Sequence, residues 1–139
     1  MNEPLIDELF KLMSPHQRPA DFINRNHCEE CEEHYTELVD ISVSELSYKE
    51  VENPGWDPTC FLSDQGFLYY LPGMIKIAEE HTDWMTYLLS RLENKKQLLS
   101  IKEAQLIQRI VEGWKYKELE VWDRQDLERV VESFRRYST

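Results

Sequence analysis

Apolar residues recur at helical spacing along most of the chain. The richest stretch is Cys60–Ala78, CFLSDQGFLYYLPGMIKIA. Its Ser63 suits a helix N-cap, because a hydroxyl there can accept from a free amide of the first turn. Phe67, Leu71, Met74, Ile75 and Ala78 follow at i, i+4, i+7, i+8 and i+11, one face of a helix. Tyr70 and Ile77 fall off that face, so the segment is apolar around much of its circumference. A helix of that kind has neighbours on several sides, and the spacing predicts a central helix over 64–79. Pro72 lacks an amide proton and crowds the preceding turn. It predicts a kink or a break near Leu71, with two short helices in line.

The flanking segments read the same way. Pro4 suits a first helical turn; Leu5, Ile6, Leu9, Phe10 and Met13 then mark one face, and Pro15 limits that helix. A second helix is expected from Asp21 or Asn26 to Val39. It should lie on the surface, with Tyr35, Leu38 and Val39 as its core contacts. Ser47 and Glu50 have capping-box spacing before a short helix. Asn53-Pro54-Gly55 reads as a turn, and Trp56 is expected to fold back onto the core. Asp83 is expected to cap a helix carrying Trp84, Leu88, Leu89 and Leu92, ended by a polar break at Asn94–Gln97. A second capping box, Ser100 and Glu103, precedes Ile101, Ala104, Ile107, Ile110, Val111 and Trp114, with Gly113 as the stop. Asp123 is expected to cap a last helix carrying Leu127, Val130, Val131, Phe134 and Tyr137. Arg135 and Arg136 in its last turn complement the helix dipole. Only Ile41–Val43 hints at a strand. The expected fold is therefore all-α: one irregular helical bundle over 1–139, five to seven helices around the Pro-kinked one, with little or no sheet.

Composition agrees with one domain, since 139 residues lie near the commonest domain size and 41% are hydrophobic. No run approaches the ~20 apolar residues of a membrane-spanning helix. The opening MNEPLIDELF has neither the basic nor the apolar region of a secretory signal. Three cysteines leave one over from any disulfide scheme, which together with the missing signal points to a reducing cytoplasm. The net charge of −11 is uneven: residues 1–60 hold 14 acidic against 4 basic side chains, and residues 61–139 hold 13 against 12. That sign argues against nucleic acid, whose phosphates call for a basic surface. It favours a basic protein partner, or serves only as a solvated surface.

The segment FLSDQGFLYYLP (Phe61–Pro72) resembles one found in small bacterial proteins of unknown function. Those proteins carry an HCxEC-like stretch earlier and a Ser- or Thr-capped helical tail later. His27-Cys28-Glu29-Glu30-Cys31 and Ser100-Ile101-Lys102-Glu103-Ala104-Gln105 match that order here. The resemblance spans roughly Pro19 to Tyr137. It implies a bacterial, cytoplasmic, helical protein and brings no activity with it.

The one constellation with chemistry is His27-Cys28-Glu29-Glu30-Cys31-Glu32-Glu33-His34. If the whole run is helical, His27, Cys31 and His34 share a face at i, i+4 and i+7, with Cys28 beside Cys31. Cysteine and histidine are zinc's preferred donors. A closed tetrahedral site would need a further ligand, and only His16, Cys60 or His81 could supply one from afar. The plain alternative is small thiols that behave as core hydrophobes. A redox CxxC is not favoured, because no thioredoxin-like strand pattern surrounds it. No nucleophile elbow and no phosphate loop occur. The expectation is a non-enzymatic protein-binding module, acidic and antidote-like, that uses Glu29, Glu30, Glu32, Glu33 and Glu37. No cofactor is expected. The alternative is a zinc protein using His27, Cys28, Cys31 and His34.

Overall fold

The computed structural model describes residues 2–139; Met1, the first residue of the expected domain, lies outside them. Seven α-helices appear among the described residues: α1 Glu3–Met13, α2 Glu29–Leu38, α3 Tyr48–Val51, α4 Asp64–Glu80, α5 Thr82–Lys95, α6 Ile101–Gly113 and α7 Val121–Ser138. Short 3-10 turns occupy Pro54–Trp56, Pro58–Phe61, Lys96–Leu98 and Trp114–Tyr116. Ile41–Val43 is not a strand, and the described residues contain no sheet. One isolated antiparallel bridge joins Ile23 to Leu62. The fold is an all-α helical bundle. No helix among the described residues is long and apolar enough to cross a membrane.

The apolar stripes decide the packing. α1 packs on α4 and α6, α4 on α5, α5 on α7, and α6 on α7. α4 is the most enclosed element, with 11 of its 17 residues buried. Ser63 caps it, accepting from the Gly66 amide at 3.1 Å. Of the kink or break expected near Leu71, the break into two helices does not occur: α4 runs unbroken through Pro72. A mid-helix proline costs ~3 kcal/mol, whereas burying one large apolar side chain contributes about 1.5–3 kcal/mol. Leu71, Met74 and Ile75 flank the proline and are fully buried. Their packing outweighs the local penalty, so tertiary burial holds the helix through its weakest turn.

Two glycines of α4 are sites of close approach. A Cβ on Gly66 would stand 2.7 Å from the Phe22 carbonyl oxygen, and one on Gly73 would stand 2.6 Å from that of Val43. The loops before and after α2 thus touch the backbone of α4. The Phe22 carbonyl also accepts from the Ser63 amide at 2.7 Å. Behind α2, the Tyr70 hydroxyl donates to the Ile41 carbonyl at 2.6 Å and accepts from Arg18 at 3.0 Å. Arg18 also donates to the Leu38 carbonyl at 3.1 Å, joining the Ile41 amide that serves the same group at 3.0 Å at the end of α2.

Three other boundaries differ from expectation. α2 begins at Glu29, not at Asp21 or Asn26, because Cys28 is its cap. α5 begins at Thr82 after His81, and α7 at Val121 after Glu120. Asp83 and Asp123 therefore sit inside the first turns, where a carboxylate still favours the positive helix end. Asp83 instead accepts from the Tyr48 hydroxyl. Gly113 does end α6, yet its backbone is right-handed helical. It is small because Asn2 packs there: a Cβ would meet the Asn2 amide at 2.8 Å. Asn2 donates from that amide to the Ile110 carbonyl and to Glu79, each at 2.9 Å.

Leu71→Ala is expected to cost about 2–5 kcal/mol in urea or guanidinium melts, the range for emptying a fully buried leucine site. Gly73→Ala tests the close approach. Alanine gains up to ~1 kcal/mol of helix propensity over glycine, yet the variant should unfold at a lower denaturant midpoint, because the new methyl meets the Val43 carbonyl. An unchanged or raised midpoint would show that the loop after α2 yields.

Candidate functional site

The chain enters α2 through a tight turn. The Asn24 side chain accepts from the Asn26 amide at 3.2 Å, and the Asn24 carbonyl accepts from the His27 amide at 3.2 Å. Cys28 is fully extended, with φ −167° and ψ 170°, and stands at the N-cap. Its sulfur takes the place of the usual cap oxygen and accepts from the Cys31 amide at 3.3 Å. That turn, rather than a continuous helix, brings His27 to the pair. The two sulfurs are 3.2 Å apart, and His27 Nδ1 lies 3.5 Å from Cys31 Sγ. One donor atom from each of the three residues falls within 4.8 Å of the others. His27 and Cys28 are exposed, and Cys31 is buried.

The two thiols are unlike. The Cys31 amide, the Cys31 thiol and His27 all favour a thiolate at Cys28, bringing it from an ordinary 9.0 down to about 7. Cys31 moves the other way: it faces the Cys28 sulfur and is buried, and both effects favour its neutral thiol. The acid–base work of the pair thus falls on the exposed member.

His34 does not join this group. It is fully buried between two aromatic rings, Trp56 at 4.3 Å and Phe61 at 4.7 Å between centroids. Its Nδ1 lies 3.1 Å from Glu37 Oε1; Nε2 has no hydrogen-bond partner and faces Glu30 Oε1 at 3.5 Å. The expected shared face fails because His27 lies outside the helix and His34 turns toward the Pro58–Phe61 turn. The distant donors are engaged elsewhere too. His16 pairs with Glu103 at 2.7 Å, His81 stacks on Tyr48 at 3.9 Å, and the Cys60 sulfur accepts from Arg91 at 2.9 Å.

The five glutamates of α2 divide. Glu32 makes a two-pronged bond with Arg25, at 2.8 and 2.5 Å, and Arg25 lies over the Tyr35 ring at 4.4 Å. Glu30 and Glu37 flank His34, and Glu37 also accepts from the Trp56 indole at 2.8 Å. Among the described residues, Glu29 and Glu33 have neither an ion pair nor a hydrogen bond to another side chain. Tyr35 and Val39 are only partly buried, and Cys31 and His34 join Leu38 in the interior.

Asp57 supports the cover over His34, a role with no signal in its local sequence. It is buried and accepts from the Trp84 indole at 3.0 Å, from Arg91 at 3.2 Å, and from the Thr59 amide and hydroxyl at 2.9 and 2.6 Å. This network fixes the turn that carries Phe61. The role of Cys28 did leave a signal: it stands three residues before Cys31, the spacing of a cap and the amide it serves.

No family model, curated protein or solved structure matches the chain. The functional reading rests on the residues themselves. Two sulfurs and an imidazole can share a thiophilic metal ion, and a thiol favoured as thiolate can act as a nucleophile.

Alkylation of Cys28 by iodoacetamide, followed by peptide mass spectrometry, should rise with a midpoint near pH 7. Cys60 should label only at higher pH, since burial raises its thiol. The linkage has a defined sign: a depressed thiol contributes stability that is present above its ordinary value and lost as pH falls through about 7. Equal pH profiles for the two cysteines would refute the asymmetry.

Proposed function

We propose that this chain is a non-enzymatic binding protein whose working element is the His27–Cys28–Cys31 corner, which takes up a zinc-class ion. The carrying observation is the 4.8 Å span of the three donors. With zinc–sulfur bonds near 2.3 Å and zinc–nitrogen bonds near 2.0–2.1 Å, a tetrahedral centre separates two sulfurs by about 3.8 Å and a sulfur from a nitrogen by about 3.6 Å. Here the Cys31–His27 separation is 3.5 Å and the Cys28–Cys31 separation is 3.2 Å. Loading thus requires the sulfurs to part by about half an ångström and the widest donor pair, which sets the 4.8 Å span, to close by about 1 Å. His27 and Cys28 are exposed, so water or a donor from a partner would complete the four ligands. Three unpaired thiols fit the reducing cytoplasm in which we place the protein.

Full-length protein loaded with zinc and then dialysed should retain about one ion per chain, the complement of a single tetrahedral site. Cys28→Ser and Cys31→Ser should lose it, and Cys60→Ser should keep it. Wild type that retains no more zinc than Cys28→Ser would overturn the reading. Serine remains a good N-cap, so Cys28→Ser preserves the start of the helix.

A second reading is docking of a basic protein on the outer face of α2, as an acidic antidote-like protein would do. Glu29 and Glu33 favour it, as exposed carboxylates at i, i+4 whose mutual repulsion a cationic partner would relieve. The internal contacts of Glu30, Glu32 and Glu37 narrow the available charge to that pair. Glu29→Lys with Glu33→Lys should leave the fold intact and slow association with the captured partner. The wild-type on-rate should fall as salt rises. A salt-independent on-rate, unchanged in the double variant, would remove this reading.

A further inference from the structure

We propose that, in the metal-free protein, Cys28 and Cys31 form a redox-active dithiol that exchanges with small-molecule disulfides, Cys28 attacking and Cys31 resolving. Three geometric facts carry it. The sulfurs are 3.2 Å apart; closing them to the ~2.05 Å of a disulfide takes about 1.2 Å of relative movement. The two thiols differ in access: Cys28 is exposed, whereas Cys31 is 4% exposed. An external disulfide therefore reaches Cys28 first, and Cys31 stands behind it. The Cys31 amide points at the Cys28 sulfur from 3.3 Å. It stabilises negative charge there when Cys28 attacks, and again when Cys28 is the leaving group on reduction. The third thiol, Cys60, is held by Arg91 and lies outside the cluster.

The chemistry balances with a disulfide RSSR as oxidant. The Cys28 thiolate attacks one sulfur of RSSR; a Cys28–SR bond forms, and RS⁻ leaves and takes up the proton Cys28 gave up. Cys31 then attacks the Cys28 sulfur, the bond to SR breaks, and the second RS⁻ leaves with the proton from Cys31. The protein loses two electrons and two protons, and RSSR becomes two RSH. The reverse sequence, with two RSH, restores the dithiol. A metal ion on the same sulfurs and the disulfide exclude one another. The dithiol does not require that the metal reading be correct, because it is tested on chelator-treated protein.

The test uses full-length protein in a Cys60→Ser background, in buffers ranging from reduced to oxidised glutathione. Samples are trapped with N-ethylmaleimide and weighed intact. The reduced protein should carry two adducts. In oxidised glutathione it should carry none, weigh two hydrogens less than the unmodified dithiol, and return to two adducts on reduction. Cys31→Ser should accumulate a stable glutathione adduct at Cys28, at least about tenfold faster than Cys28→Ser accumulates one at Cys31. Circular dichroism confirms that each variant is folded, and the unsubstituted pair needs no variant at Cys28 or Cys31. Retention of two alkylatable thiols in oxidised glutathione would overturn the proposal. So would a mixed disulfide that never resolves in the intact pair, or equal adduct rates in the two serine variants.

Discussion

Two loop carbonyls lie against the backbone of α4 where any side chain would collide: Phe22 at Gly66 and Val43 at Gly73. This double contact governs the rest of the molecule. The two loops are the segments that enter and leave α2, so α4 grips the smaller helix at both ends. Tyr70 and Arg18 complete the grip by taking up the carbonyls of Leu38 and Ile41. α4 can do this only as one continuous helix. The continuity of the helix through Pro72 is therefore a condition for placing α2, as well as a local preference overridden. α1 and α5 pack on α4 with conventional apolar stripes, and α6 and α7 pack in turn on these and on each other.

At the start of α2, the same few residues set structure and reactivity together. A cysteine used as a cap must point its sulfur at the first-turn amides, and that favours the thiolate. The following cysteine is carried inward by the helix and stays a neutral thiol. The asymmetry thus comes from where the helix begins. Of the surrounding carboxylates, Glu30 adds to it, its charge further favouring the neutral Cys31 thiol, while Arg25 takes Glu32 and Trp56 engages Glu37.

What could be read beforehand was mostly what is decided within one turn of chain. The caps at Ser63 and Ser100 depend on contacts three residues away, and both are present. The stripe on α4 is set by spacing alone, and Leu71 and Phe67 are buried as expected. The break considered at Pro72 is absent: the local penalty is visible in sequence, whereas the burial around it is not. Asp83 and Asp123 misled because several positions of a first turn suit a carboxylate, and sequence does not say which residue turns the backbone. The dithiol was visible as a CxxC. His34 could not be excluded from it without knowing that the helix starts at Glu29. Nothing in the local sequence linked Trp56, Phe61 and Asp57 to the site; they come together only through contacts between distant segments.

Arg91 gives that last assembly a reach beyond α2. Its guanidinium serves Asp57, Thr59 and Cys60 together and lies over the Trp84 ring at 5.5 Å. It belongs to α5, whereas His34 meets the same Pro58–Phe61 turn from α2. An event on α5 that shifted this guanidinium would remove bonds from the turn that carries Phe61, one of the rings over His34. Were such a shift to occur, thermodynamic reciprocity would require a ligand that reorders α2 to change the affinity of whatever engages α5. The two helices have no extensive interface of their own, so any such coupling would run through the short turn and the buried Asp57 carboxylate that holds it.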